Sequence, residues 1–188
     1  MKKILLLAVL ASGLAFGQTK KVVSSDVHWW GYKVVKSEAG AHDGTVKVKS
    51  GNIVLKGKQV VGGTFVLDMN SINATDLSGE GQTKLNAHLK NGDFFEVEKF
   101  PTATFKITSV KKNDDKAYNS LVTGNLTVKG KTNAISFPAK ITNDKGIVTL
   151  ESNKFTIDRQ KFDVVYQSSM KDAIIKDEID MTVKVSAK

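Results

Sequence analysis

The chain has 188 residues, a formal charge of +9 and no cysteine, which excludes a disulfide framework, a thiolate metal site and a thiol for lipid anchoring. Its charge is carried almost wholly by lysine, and Arg159 is the single arginine. That balance argues against a nucleic-acid partner, because guanine readout and planar phosphate recognition both favour arginine.

Met1-Lys2-Lys3 followed by the apolar run from Ile4 to Leu10 has the pattern of a secretory signal and is too short to cross a bilayer. Ala15-Phe16-Gly17 meets the small-x-small requirement of signal peptidase. Residues 1–17 are therefore expected to be a signal peptide, and 18–188 one exported domain of about 170 residues, enough to bury a core without disulfides. Later in the chain nothing approaches the roughly 18 apolar residues of a spanning helix.

From Val27 onward, apolar and polar residues alternate with period two, the mark of strands with one buried and one wet face. Trp30, Tyr32 and Val34 are expected to share the inner face of a first strand, and Val46 and Val48 that of a second. Gly51 to Lys56 reads as a third strand ending in a Gly57-Lys58 turn, a hairpin chemistry that recurs at Gly124 to Lys131. Phe65, Leu67 and Met69 form the next inner row, with Gly62-Gly63 a bulge at its start. Gln82 to Lys90 breaks the rhythm as a short helix with Leu85, His88 and Leu89 on one face and Asn91-Gly92 as a left-handed stop. Further rows follow at Ala103, Phe105 and Ile107, at Val122, Leu126 and Val128, and at Ile135, Phe137, Ala139 and Ile141. Pro138 within the last of these suggests an edge or a bulge. A mixed segment from Ile147 to Ile157 carries Phe155 and Ile157, Arg159 to Lys176 reads as a long loop or lid, and Ile179, Met181, Val183 and Val185 close the chain. About eight short strands predict an all-β sandwich or antiparallel barrel, and an eight-stranded barrel is just wide enough for one small ligand or for its own side chains.

His28, His42 and His88 lack the spacing of a metal pair, and no serine sits in a nucleophile elbow. The inward aromatics Trp30, Tyr32, Phe65, Phe105, Phe137 and Phe155 could line an apolar slot, each with ordinary core as its plainer role.

One string, His88-Leu89-Lys90-Asn91-Gly92-Asp93-Phe94-Phe95, followed by Lys99-Phe100-Pro101-Thr102-Ala103-Thr104-Phe105, resembles the signature of the YceI family. Gly62-Gly63-Thr64-Phe65 and Asp68-Met69-Asn70-Ser71-Ile72 precede it in the order of that family. Gly124 to Thr132, Ile157-Asp158-Arg159-Gln160-Lys161-Phe162 and Lys176-Asp177-Glu178-Ile179 follow. The resemblance implies a lipocalin-like antiparallel barrel with one short helix, exported to the periplasm, dimeric in many members, whose pocket takes a polyisoprenoid, a quinone-like lipid or a similar amphiphile. It adds His88, Phe94, Arg159 and Phe162 to the candidate ligand contacts, with Arg159 and His88 at the polar head. The structural alternative for Arg159 is a buried ion pair with a carboxylate such as Asp93. Where many members carry glycine, this chain has Asp163. The expected function is thus non-enzymatic lipid binding, storage or transport. Its alternatives are an enzyme using His88 and Asp93 as acid and base, and a filled structural or interaction barrel.

Overall fold

In a computed structural model of the chain, residues 17–169 and 172–188 are described. The expected signal peptide lies outside them apart from Gly17. Among the described residues, no helix is long and apolar enough to cross a membrane.

Among the described residues, nine antiparallel strands and one α-helix succeed one another as β1 (Gln18–Val35), β2 (Glu38–Lys56), β3 (Gln59–Ala74), α1 (Gly79–Lys90), β4 (Thr102–Lys112), β5 (Ser120–Val128), β6 (Lys131–Asp144), β7 (Ile147–Ser152), β8 (Phe155–Asp158) and β9 (Ala173–Ala187). Neighbours in sequence pair from β1 to β7, β7 pairs with β9, and β9 returns to β1, which closes an eight-stranded barrel, with β8 paired to β9. Strands β7 and β8 share one edge of β9, at Lys184–Ala187 and at Glu178–Met181 respectively. In the gap between them the Ser152 hydroxyl accepts the Val183 N–H (2.9 Å) in place of a ladder bond.

Two-residue turns of left-handed backbone set the hairpin registers. Lys36-Ser37, Lys129-Gly130 and Lys145-Gly146 all have both φ values positive, the arrangement whose twist matches that of the flanking strands.

Several strand expectations change. The expected second and third strands are one 19-residue strand, β2, bent by irregularities at Thr45/Lys47 and Val48/Ser50 rather than cut by a turn. A bulge precedes Gly62, at Val61. Pro138 sits inside β6, yet the ladder with β7 stops one residue short of it, at Ala139–Ser152, so its missing N–H falls beside the gap between β7 and β8. The helix stops without a left-handed residue: Asn91 is extended (φ −79°) and donates its N–H to Ala87, while its side chain accepts from Asp93.

The largest correction concerns β1. Its inward row is Val27, Trp29 and Gly31, with Val27 and Trp29 buried, and Trp30 lies on the outer face. Trp29 packs above Gly44, its partner on β2. A Cβ at Gly44 would fall 2.7 Å from the indole and 1.9 Å from the Asn73 carbonyl, so the tryptophan faces inward because its partner has no side chain. Outside, the Trp30 ring lies 4.3 Å from His28 and 4.1 Å from the Lys154 ammonium.

Candidate functional site

Within the barrel the interior divides into two parts. Toward one end, Phe105, Phe137 and Phe155 are packed ring to ring, with centroids 5.6 Å and 4.4 Å apart. These three and Phe65 surround a residual space of only about 60 Å³. Toward the other end opens a cavity of about 320 Å³, at the lower bound for a small-molecule site. Leu67, Leu126 and Met181 line both spaces, so they form the partition between them. The cavity wall is chiefly aliphatic and aromatic, with Met69, Ile72, Leu89, Phe94, Phe162 and Ile179 among its members.

Helix α1 roofs part of this cavity. Asn86 accepts the Ala74 N–H (2.8 Å) and donates to the Asn73 side chain (2.8 Å), while Gln82 donates to the Ala74 carbonyl (2.7 Å). These bonds fix the helix to the end of β3 with Leu85, His88 and Leu89 turned to the cavity. His88 lies edge-on to Tyr166 and Phe94 and 3.3 Å from the Asp93 carboxylate.

Opposite the helix, the segment after β8 runs across the opening. A 3-10 turn, Arg159–Phe162, is started by Asp158, whose side chain accepts the Gln160 N–H (2.9 Å). The turn ends at Asp163 in left-handed backbone, φ 62°. This accounts for glycine at that place in the resemblance, because a left-handed residue costs least without a Cβ, and aspartate is among the side chains that tolerate it. Beyond the turn, Val164, Tyr166 and Ser168 line the cavity, so the expected lid begins later, at Asp163.

Arg159 holds this lid to β9. It is 2 % exposed. Its guanidinium donates to the carbonyls of Val164 (2.6 Å), Lys176 (3.1 Å) and Ile175 (3.3 Å), and pairs with Asp177 at 3.0 Å. Here β9 carries three residues, 176–178, opposite the single Tyr32 of β1, and the fork satisfies carbonyls that this irregularity turns inward. The carboxylate partner is Asp177 rather than Asp93, which stands beside His88.

The expected site residues therefore separate. His88, Phe94, Arg159 and Phe162 line the large cavity, and Tyr32 stands at its rim with its hydroxyl donating to Asp180 (2.7 Å). Phe65, Phe105, Phe137 and Phe155 belong to the packed end. Trp30 lines neither space. On the outer wall Lys154 bridges the Tyr32 hydroxyl (3.2 Å) and Asp180 (3.3 Å). The Asp180 carboxyl lies below its ordinary range: burial alone would raise it, but bonds from Thr156, Tyr32 and Lys154 together outweigh that. Lys154 is correspondingly raised, chiefly by the Tyr32 contact.

Sequence reasoning missed Trp29, Gly31, Lys33 and His42 on the cavity wall. A signal was available for the first two, since Val27, Trp29, Gly31 and Val35 also alternate. Lys33 and His42 look like ordinary wet-face residues until the register places them inside.

A closed antiparallel barrel with an apolar chamber at one end and a polar rim is the architecture of the lipocalin-like binding barrels. Residues 18–187 match the model of the YceI-like domain, and the chain belongs to the YceI family. It is 36% identical to Protein YceI of Salmonella newport over 87 residues, 42% of this chain and 44% of that one. A 54-residue stretch is 50% identical to a UPF0312 protein of Pseudomonas aeruginosa, but covers 27% of that relative's length and 29% of this chain. Among solved structures, BcnA of Burkholderia cenocepacia superposes with a TM-score of 0.61 at 21% identity, covering 87% of this chain and 96% of that one. A polyisoprenoid binding domain from Saccharophagus degradans superposes with a TM-score of 0.63 at 12% identity, covering 90% and 97%. At these identities the two structures show the fold.

Proposed function

We propose that the protein binds an amphiphilic lipid, of the long-chain polyisoprenoid or quinone-like type, as a non-enzymatic carrier or store, and that its first 17 residues export it to the periplasm. The observation that carries the reading is the 320 Å³ chamber, whose inward residues Leu67, Ile175, Ile179 and Met181 stay partly accessible although they face the barrel interior. Apolar surface left accessible inside a closed barrel gains about 25 cal/mol per Å² when a tail covers it. The Saccharophagus domain, described as polyisoprenoid binding, supports the tail class by analogy of fold.

Gly31 offers the test. It lines the chamber, and a Cβ there meets nothing within 4 Å, so Gly31→Leu adds a side chain to empty space with little strain. Native mass spectrometry with lipid extraction should find lipid in the wild-type protein, and Gly31→Leu should reduce occupancy at least tenfold with the melting temperature unchanged within a few degrees. Equal occupancy in both proteins, or wild-type protein that takes up neither prenyl lipids, whether alcohol or phosphate, nor quinones, refutes the proposal.

The acid–base alternative keeps its pair, His88 and Asp93, but Asp93 is half-exposed and outside the chamber wall. The filled-barrel alternative fits the packed end and not the open one.

A further inference from the structure

Charge around the chamber is one-sided. The charged side chains on its wall are Lys33, Arg159 and Lys176, with His42 and His88 beside them, and among the described residues no aspartate or glutamate lines it. The carboxylates stand one layer back: Asp177 behind Arg159, Asp93 behind His88, Asp76 behind His42. Arg159 spends its donors on three carbonyls and Asp177.

Lys33 is different. Its aliphatic stem lies over Gly40, its partner on β2, with Cε 3.5 Å and Cγ 3.7 Å from where a Cβ would stand. Its ammonium donates to His42 Nε2 at 3.0 Å, and His42 Nδ1 lies 2.7 Å from Asp76. An imidazole accepting from a lysine at Nε2 holds its own proton at Nδ1 and donates it in a hydrogen bond to the carboxylate. The relay fixes where the ammonium sits while leaving two of its three N–H donors for another group. No carboxylate among the described residues is within ion-pair reach of Lys33. A cation at the wall of an apolar chamber is costly to desolvate unless an anion accompanies it.

From this we infer that the chamber is built for an amphiphile with an anionic head, a carboxylate or a phosphate monoester, held by Lys33, with His42 and Asp76 as positioning residues. The inference rests on the lipid-binding reading above and adds the head-group class to it. Bonds from an ammonium to an anion in a partly buried site exceed those to a neutral hydroxyl by enough to discriminate tenfold or more.

Hexadecanoate, hexadecyl phosphate and hexadecanol, equal in tail and different in head, serve as probes against the full-length mature protein at pH 7.5. The wild type should bind one or both anions at least tenfold more tightly than the alcohol, and the anion preferred identifies the head. Lys33→Gln should lose that preference while holding hexadecanol within about twofold, and Lys33→Arg should restore it. Melting curves of the stripped variants establish that Lys33→Gln is folded, and the wild-type ratio of anion to alcohol stands as a test without it. Binding of neither anion more tightly than the alcohol by the wild type, or an unchanged preference in Lys33→Gln, overturns the anionic-head inference and leaves lipid binding intact. If the protein binds none of the three probes, the lipid-binding reading falls and this inference with it.

Discussion

At one end of the barrel Phe105, Phe137 and Phe155 lie ring against ring, whereas at the other Leu85, Ile175 and Ile179 surround open space. Both ends are made of the same alternating strands, so the difference does not come from strand pattern. It comes from what caps each end. The packed end is filled by aromatic side chains reaching inward from β4, β6 and β8. The open end is spanned instead by parts that stand off the sheet, α1 and the lid after Arg159, each held to the wall by polar contacts. A barrel of this size can be filled or left hollow, and here one molecule does each in turn.

The contrast is sharpest in truncation. Phe137→Ala removes a ring that is 3 % exposed, stacked on Phe155 and tilted against Phe105, and should cost about 3–5 kcal/mol. Ile179→Ala removes a side chain that already borders the chamber and should cost about 1–2 kcal/mol, because part of its surface is accessible before the change. Urea titration of the two variants measures the gap, and equal losses would mean that the chamber closes around the smaller side chain.

A smaller effect is expected at the lid. Arg159→Lys keeps a charge but loses the fork that reaches Val164, Ile175, Lys176 and Asp177, and should destabilise by about 2–4 kcal/mol. Asp177→Asn should cost less than half of that, since Asp177 is half-exposed and the three carbonyl bonds survive. If Arg159→Lys leaves both the urea midpoint and lipid occupancy unchanged, the guanidinium is not what fastens the lid.

Acid tests the outer wall against the inside. Asp76 and Asp180 both have carboxyls held below the ordinary range, Asp76 because bonds from His42 and the Asp43 N–H outweigh the opposing effect of burial. A carboxylate depressed in the folded state contributes stability that is present above its unfolded value near 4 and lost as pH falls through the folded value. Stability should therefore decline below about pH 4, and Asp180→Asn should flatten part of that decline. Lys154 is raised, so its contribution is present below the ordinary lysine range and lost as pH climbs through its folded value. Thermal melts across pH 2–5 and above pH 10 follow both.

Much of this was legible in the sequence. Rows such as Ala103, Phe105 and Ile107, or Val183 and Val185, announce their inner face because apolar residues stand on one parity only. In β1 both parities carry an aromatic, Trp29 and Trp30, and only the partner strand decides, through Gly44 making room for one ring. Arg159 stood out as a lone arginine, but its partner could not be read from local pattern, since Asp177 reaches it across an irregularity in β9 that depends on the register with β1. The Lys33–His42–Asp76 relay was hidden for the same reason: its members come from β1, β2 and the connection after β3, and each alone resembles a solvent-facing residue.

The smallest prediction concerns Asp163, the place where the family resemblance implies glycine in many members. With φ at 62° the backbone is in a region that disfavours a Cβ by about 1–2 kcal/mol, less for aspartate than for most residues. The Asp163 N–H caps the 3-10 turn and its carbonyl accepts from Lys129 at 2.9 Å, and both bonds belong to the backbone, so glycine keeps them. Against the strain relieved stands the greater freedom glycine gives the unfolded chain, about 0.5–1 kcal/mol. The difference predicts a gain of about 0.5 kcal/mol for Asp163→Gly, a rise in melting temperature of about 1–2 °C for a domain of this size. Asp163→Val should instead lose more than 1 kcal/mol, since a β-branched side chain fits that backbone poorly. A loss on Asp163→Gly would show that the carboxylate itself stabilises the lid, and the departure from glycine would then be a gain rather than a tolerated strain.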